Sequence, residues 1–206
     1  MSSSESSRGG CFVGCLQCCC GLFLIITSVG LSILIYWAIY QPHHIRATVG
    51  SAALTGLTVT NSSLVSYRLA VTLDLYNPSL RVGIYYDTLD AELRFHGASL
   101  GGGSAASPAE FYQRRKTGET VKVDFDGSGG VEVPDDLAGE LEKEIGLGSV
   151  SLEVAVDVRV RYKFDGVKIR MKPKVWCSLT IPVKPDDQSR GVGGALASGD
   201  RCSVKY

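Results

Sequence analysis

Between Gly21 and Tyr40 the chain reads GLFLIITSVGLSILIYWAIY, without a charged residue. At a rise of about 1.5 Å per residue, a helix of roughly 20 residues crosses a hydrocarbon core of about 30 Å. The run is apolar all round, unlike the core-facing helix of a globular domain, which carries one apolar stripe. Tyr36, Trp37 and Tyr40 cluster at its C-terminal end, where an aromatic belt belongs, and Pro42 is placed to stop the helix. A cleaved signal peptide would have a shorter apolar stretch, a basic start and small residues behind it. Here only Arg8 precedes the run. The expected layout is a short cysteine-rich tail over 1–20, a transmembrane helix over 21–41 and one folded domain over 42–206.

Cys11, Cys15, Cys18, Cys19 and Cys20 sit just before the span, and Cys177 and Cys202 lie far downstream. Juxtamembrane cysteines suit S-palmitoylation; the alternative is small apolar residues in the interface. The Cys15-x-x-Cys18 spacing lacks a second ligand pair, so no metal is expected. Ser2 stands where an N-myristoyl signal needs glycine. Arg8 and Arg46 flank the span evenly, so the positive-inside rule does not orient it. Two other cues place the N-terminus in the cytosol and the domain outside. The five clustered cysteines would then lie in a reducing compartment, and Asn61-Ser62-Ser63 would be a usable glycosylation sequon. Asn77-Pro78-Ser79 is blocked by its proline. Outside the cytosol, Cys177 and Cys202 could close a loop of about 25 residues, worth about 3 kcal/mol in the loop-entropy model. Two free buried thiols are the alternative.

After about residue 45 the pattern has period two. Leu69, Val71, Leu73 and Leu75 alternate with polar or small residues, as do Leu89 to Phe95 and Val121 to Phe125. From Val150 to Phe164 every even position is apolar or tyrosine. These are half-buried strands. A two-residue turn at Asp165-Gly166 pairs Phe164 with Val167, Tyr162 with Ile169 and Val160 with Met171, all on a face to be buried. Pro173 then marks a bulge or an edge. One short helix is expected in VPDDLAGELEKEIG, where Leu137, Leu141 and Ile145 recur at spacing four. Asp135 or Asp136 would cap its start and Gly146 would end it. Gly101 to Ser104 and Gly191 to Gly199 read as loops. The class is mainly β, a single antiparallel sandwich with one short helix behind the anchor.

No pattern for catalysis or cofactor binding is present: no G-x-S-x-G elbow, H-E-x-x-H helix or P-loop. His43 and His44 adjoin the span, His96 reads as a surface residue, and Asp135-Asp136 and Asp186-Asp187 read as a helix start and a polar loop. With 21 basic and 21 acidic residues, the balance argues against a nucleic-acid partner. A non-enzymatic protein without cofactor is expected.

The stretch Tyr76 to Asp87, YNPSLRVGIYYD, resembles the plant harpin-induced-like family, related to the non-race-specific disease resistance proteins. The matching positions are Asn77, Pro78, Arg81, Gly83, Ile84, Tyr85, Tyr86 and Asp87, with Ser79 in place of a second asparagine. Phe111-Tyr112-Gln113 and Val160-Arg161-Tyr162-Lys163 resemble two further family segments, the latter with tyrosine for tryptophan. The resemblance implies a late embryogenesis abundant group-2 domain, a fibronectin-like β-sandwich held at the plasma membrane by one N-terminal span. It also implies roles in pathogen and stress responses and no established enzymatic activity.

In the predicted hairpin, Arg159, Arg161 and Lys163 fall opposite Lys172, Arg170 and Lys168. Like charges across a strand pair are destabilising. Three explanations apply: acids on neighbouring strands interleave with them, the row guards a sheet edge, or it docks something anionic such as lipid headgroups or acidic cell-wall polymer. The function expected is that of a membrane-anchored defence or stress protein acting through protein or wall contacts. The alternative is a membrane-tethered lipid-binding or stabilising module, which a solvent-open apolar pocket between the sheets would favour.

Overall fold

The computed structural model describes residues 8–40, 44–60, 63–104, 106–164, 167–185, 191–197 and 201–206, without the side chains of 8–20, 39–40 and 164. Pro42, His43, Asn61, the Asp165-Gly166 turn and Asp186-Asp187 therefore lie outside the described residues. The chain divides into two compact units, Met1–Pro42 and His43–Tyr206. The first is one helix, α1 (Arg8–Tyr40), so the backbone of all five clustered cysteines is helical and continuous with the apolar run. Among the described residues, Gly21–Ala38 is the one helical stretch long and apolar enough to cross a membrane. Within it the hydroxyls of Thr27 and Ser32 donate back to the carbonyls of Phe23 and Ser28, which satisfies these two polar groups inside the helix.

The second unit begins with β1 (Arg46–Thr60), β2 (Leu64–Tyr76), β3 (Gly83–Phe95), β4 (Ala98–Gly102) and β5 (Phe111–Gln113). It continues with β6 (Gly118–Asp126), β7 (Val131–Glu132), helix α2 (Asp135–Leu147), β8 (Ser149–Phe164) and β9 (Val167–Met171). The last strands are β10 (Lys174–Pro182), β11 (Lys184–Pro185), β12 (Val192–Leu196) and β13 (Ser203–Lys205). One sheet has the order β11-β12-β1-β2-β6, with β7 on β2; the other has β13-β10-β8-β3-β4, with β5 on β3 and β9 on β8. All pairings are antiparallel, and inward residues of both sheets merge in one core. The alternating residues of β2, β3, β6 and β8 are buried as their period requires.

The long ribbon after α2 decides one expectation and corrects another. β9 pairs with β8 through Phe164↔Val167, Tyr162↔Ile169 and Val160↔Met171, the register the hairpin predicts. Three residues further along each strand, Asp157 pairs with Lys174, and the ladder continues to Ser149↔Pro182. No residue is inserted, so of the two alternatives Pro173 marks an edge, at the end of β9, which among the described residues pairs with β8 alone. The proline lacks an N–H, which interrupts the ladder, while its carbonyl still accepts from Val158 N–H at 3.0 Å. The correction concerns burial: Tyr162 is buried, but its partner Ile169 is 45% exposed, and Val167, which pairs with Phe164, is 62% exposed, because β9 is an edge that pairs with β8 alone among the described residues.

Helix α2 also departs from its predicted ends. Pro134 occupies the N-cap without a side-chain bond, and Asp135 and Asp136 lie in the first turn, where their charge faces the positive end of the helix dipole. The helix runs through Gly146 and stops at Gly148, which adopts φ 82° and returns its N–H to the carbonyl of Ile145. Ala138 and Leu141 are its buried residues, with Leu137 and Ile145 packed partly against the core. Two glycine-rich stretches expected as loops are in part strand: Gly101 and Gly102 end β4, and 192–196 form β12 beside β1.

Candidate functional site

The register defines two ends of the sandwich. At one, called the foot, β1 begins, β2 ends opposite it (Arg46↔Tyr76), β6 begins (Gly118↔Tyr76), and β3 starts beside the end of β8 (Gly83↔Lys163). The opposite end, the crown, carries the β3–β4 turn and α2. The foot gathers all three sequence segments that carried the family resemblance. Residues 84–86 of β3 pair with Phe111–Gln113 of β5 on one side and with Val160–Tyr162 of β8 on the other.

Physical reasons fix each motif residue. Asn77 is fully buried and fully used. Its Nδ2 donates to the carbonyls of Val82 (2.9 Å) and Arg114 (3.1 Å), its Oδ1 accepts from Ser79 N–H (3.0 Å), and its own N–H donates to Thr117 O (3.0 Å). Ser79 Oγ then accepts from Val82 N–H, so this residue closes the same loop from inside. Tyr86 donates its hydroxyl to Gln113 Oε1 at 2.9 Å, and Gln113 Nε2 donates to the carbonyls of Leu75 and Thr117. Burial pushes the Tyr86 phenol far above its usual range. Phe111 stacks on Tyr86 at 4.4 Å between centroids, and Tyr112 lies against Tyr85 at 4.3 Å. Tyr112 passes over Gly83, where a Cβ would collide with its ring. The segment Asn77 to Asp87 is therefore a folding motif, tied to residues 111–117.

Asp87 answers the question of the facing cations. It is the extra residue of a bulge in β3, between Tyr86↔Val160 and Thr88↔Arg159. Its carboxylate accepts from Arg161 Nε at 2.8 Å, while the guanidinium lies 5.6 Å from the Tyr85 ring centre. That hydrogen bond raises the Arg161 pKa above its ordinary value, holding the charge in place. Higher on the same face, Lys174 pairs with Asp157 at 3.2 Å. Acids thus interleave with part of the basic row. Lys163, Lys168 and Arg170 remain exposed and form no ion pair among the described residues; Arg159 and Lys172 flank the proline interruption and are exposed.

Sequence reasoning missed the rest of the foot. Leu80 is 63% exposed at the tip of the 77–82 loop, and the adjacent 114–117 loop presents Arg114, Arg115 and Lys116. The signal was present as the run RRK directly after the Phe-Tyr-Gln segment, but only the pairing shows that it shares an end with Lys163 and Lys168. The C-terminus also arrives here. The Tyr206 hydroxyl accepts from Ile45 N–H and meets the Tyr162 hydroxyl at 2.9 Å, and His44 packs on the Tyr206 ring. Burial and that hydroxyl contact push the Tyr162 phenol upward as well.

The other candidates lie elsewhere. Cys177 on β10 and Cys202 are bonded, with Cα atoms 4.4 Å apart. Cys202 N–H donates to Ala47 O of the first sheet, and the chain then enters β13 of the second, so the bond sits where the C-terminal segment changes sheets. His96 turns at φ 48° on the crown, exposed, its ring nitrogens 3.4 Å and 3.1 Å from Glu140 and Glu144 of α2. Among the described residues no group of three acids, cysteines or histidines could hold a metal. Of the surface hollows, one of about 280 Å³ lies on the outer face of the first sheet, around Arg68, Ala70 and Asp124. A second is lined by β1, α2 and the start of β12.

Comparison with known proteins adds the family. Residues 72–181 match the family model described as late embryogenesis abundant protein, LEA_2. NDR1/HIN1-like protein 10 of Arabidopsis thaliana is 32% identical over 82% of this chain and 77% of its own length. NDR1/HIN1-like protein 3 of the same plant is 27% identical over 100% of this chain and 92% of its own. A solved protein from Archaeoglobus fulgidus aligns with 69% of this chain and 97% of its own at 12% identity, with a TM-score of 0.30, too slight a likeness to bear on the fold. The chain belongs to the LEA_2 family, among its NDR1/HIN1-like members.

Proposed function

We propose that this is a membrane-anchored, non-enzymatic protein of plant defence or stress responses, single-pass in the plasma membrane, with its N-terminus cytosolic and its sandwich outside. The sandwich works through contacts with proteins or the cell wall. One observation carries the reading: the polar groups of the family motif are turned inward. Asn77, Gln113, Tyr86 and Asp87 take partners within the fold, so the residues that identify the family build a rigid platform rather than a reaction centre. An apolar helix of spanning length stands ahead of that platform, and the alignment over the whole chain includes it. The second reading is a membrane-tethered lipid-binding or stabilising module, which a solvent-open apolar hollow between the sheets would favour.

The test is topology. A C-terminal epitope on the full chain is followed during protease treatment of intact protoplasts, with lysed cells as control. Loss of the epitope from intact cells is expected, together with faster migration of the unreduced chain when Cys177 and Cys202 are bonded. Protection in intact cells would place the domain in the cytosol and overturn the proposed orientation.

A further inference from the structure

Outward residues of four adjacent strands line up across the second sheet near the foot. Tyr112 of β5 pairs with Tyr85 of β3, Tyr85 with Arg161 of β8, and Arg161 with Arg170 of β9. Their chain neighbours Gln113, Ile84, Tyr86, Val160 and Tyr162 are buried, so the row lies on the outer face. Three gaps of about 4.8 Å between strands make it about 14 Å long, aromatic in one half and cationic in the other. The tyrosine rings have centroids 4.3 Å apart, and the Arg161 guanidinium joins them 5.6 Å from the Tyr85 centre. Tyr112 extends its phenol end across Gly83, where the missing side chain leaves room, and is still 42% exposed. One step along the strands, about 7 Å away, Lys163 and Lys168 form a second cationic pair. Lys163, Lys168 and Arg170 are exposed and form no ion pair among the described residues. Two acids belong to the patch: Asp87, bound to Arg161, and Glu110, whose charge also reaches Arg161. Beyond Arg159 the face turns acidic at Asp90 and Asp157, which bounds it.

Rings and cations in one row select a ligand that carries both kinds of partner. An aromatic face takes the C–H side of a sugar ring, and a guanidinium takes a carboxylate through two parallel hydrogen bonds. A polyuronate supplies both at every unit, since each of its rings bears its own carboxylate. A protein partner would seek an uncharged apolar centre, whereas the centre of this patch is Arg161 with its acid.

We propose that the row Tyr112, Tyr85, Arg161 and Arg170, with Lys163 and Lys168 beside it, is a binding face for a polyuronate, an acidic polysaccharide of the wall. Sugar rings lie over the two tyrosines, and carboxylates along the same chain meet Arg170, Lys163 and Lys168. The inference deepens the wall contact proposed above and rests on the sandwich lying outside the membrane. Arg161 is fixed by Asp87 and Tyr85 before any ligand arrives, so little side-chain freedom is lost at the centre of the face on binding. Facing cations that strain an isolated ribbon become the reason the ribbon is kept.

The full chain in a neutral detergent is titrated with a galacturonate oligomer in a calorimeter. Binding is expected, and should weaken by roughly tenfold in Tyr112→Ala and again in Lys168→Gln/Arg170→Gln. The second variant lies on an exposed edge, so it tests the face by itself if Tyr112→Ala fails to fold. Binding should be lost in about 1 M salt, where the Debye length is about 3 Å. Two controls separate the parts of the ligand: the methyl-esterified oligomer keeps the rings without charge, and polyglutamate keeps the charge without rings. Each should bind roughly tenfold more weakly than the galacturonate oligomer. Equal binding of polyglutamate assigns the face to an acidic polypeptide and overturns the sugar; equal binding of the ester overturns the role of the cations. No binding, or unchanged affinity in variants whose urea midpoint matches the parent, overturns the proposal and leaves the orientation standing, because the protease test reads that independently. Protection of the epitope in that test removes the sandwich from the wall and takes this inference with it.

Discussion

The foot and the crown of this sandwich are held together by different physics. At the foot, Asn77 and Gln113 are wholly buried and each spans several backbone groups of neighbouring loops. Removing either leaves partners stranded away from water, which costs more than the bond itself is worth. At the crown, His96 is held by Glu140 and Glu144 at an exposed surface, where water replaces any lost partner. The difference separates motif from decoration. Residues that define the family lie where substitution is costly, while the charge of the crown can change with little effect on folding.

That contrast can be broken by measurement on the full chain in detergent, with urea unfolding followed by circular dichroism. Gln113→Ala, or Asn77→Ala, should lower stability by about 2–4 kcal/mol. A loss under about 1 kcal/mol would mean that water reaches the foot and that the contrast is false. Alkaline titration sharpens it next. Tyr86 and Tyr162 have phenols raised by burial, so above pH about 10 they keep protons that the unfolded chain releases. Stability contributed by the neutral phenols is full below that pH and falls as pH rises further, by up to about 1.4 kcal/mol per unit for each tyrosine. Tyr162→Phe should be visibly less sensitive to alkali than the parent. At the crown, Gly148→Ala should cost about 1 kcal/mol, because a side chain resists the positive φ of the helix end. His96→Ala should cost at most about 0.5 kcal/mol.

Two long strands show how much could be read from the sequence. β8 runs for 16 residues without a bulge of its own, so its inward residues keep one parity from Val150 to Tyr162; the strand and its register with β9 were legible, while its pairings with β3 and β10 were not. β1 is nearly as long, yet its inward residues run Ala47, Val49, then Ala52, Leu54, then Leu57. Register shifts between Val49 and Ser51 and between Thr55 and Thr58 flip its parity twice, and a search for period two cannot follow it. The single bulge at Asp87 likewise hid the fact that Tyr86 and Leu89 face the same core. The basic row of the hairpin was legible residue by residue. The pairing of its Arg161 with Asp87, the presence of the 114–117 loop at the same end and the exposure of Val167 and Ile169 depend on which strands lie alongside, and spacing along one chain does not encode that. The apolar helix needed no pairing information, since length and apolarity alone define it.

The position of β1 has a mechanical consequence. Under the proposed anchoring, a pull on α1 enters the sandwich at Arg46 and runs along β1, which is bonded to β2 on one side and β12 on the other. Ladder hydrogen bonds lie across the strand, so such a load shears many of them at once instead of opening them one after another. Cys202 donates to the carbonyl of Ala47 just inside that point and is bonded to Cys177 in the opposite sheet, so part of the load passes to the second sheet within two residues of its arrival. The domain is thereby built as a cleat: tension arriving from its N-terminal side is spread over both sheets before any strand gives way.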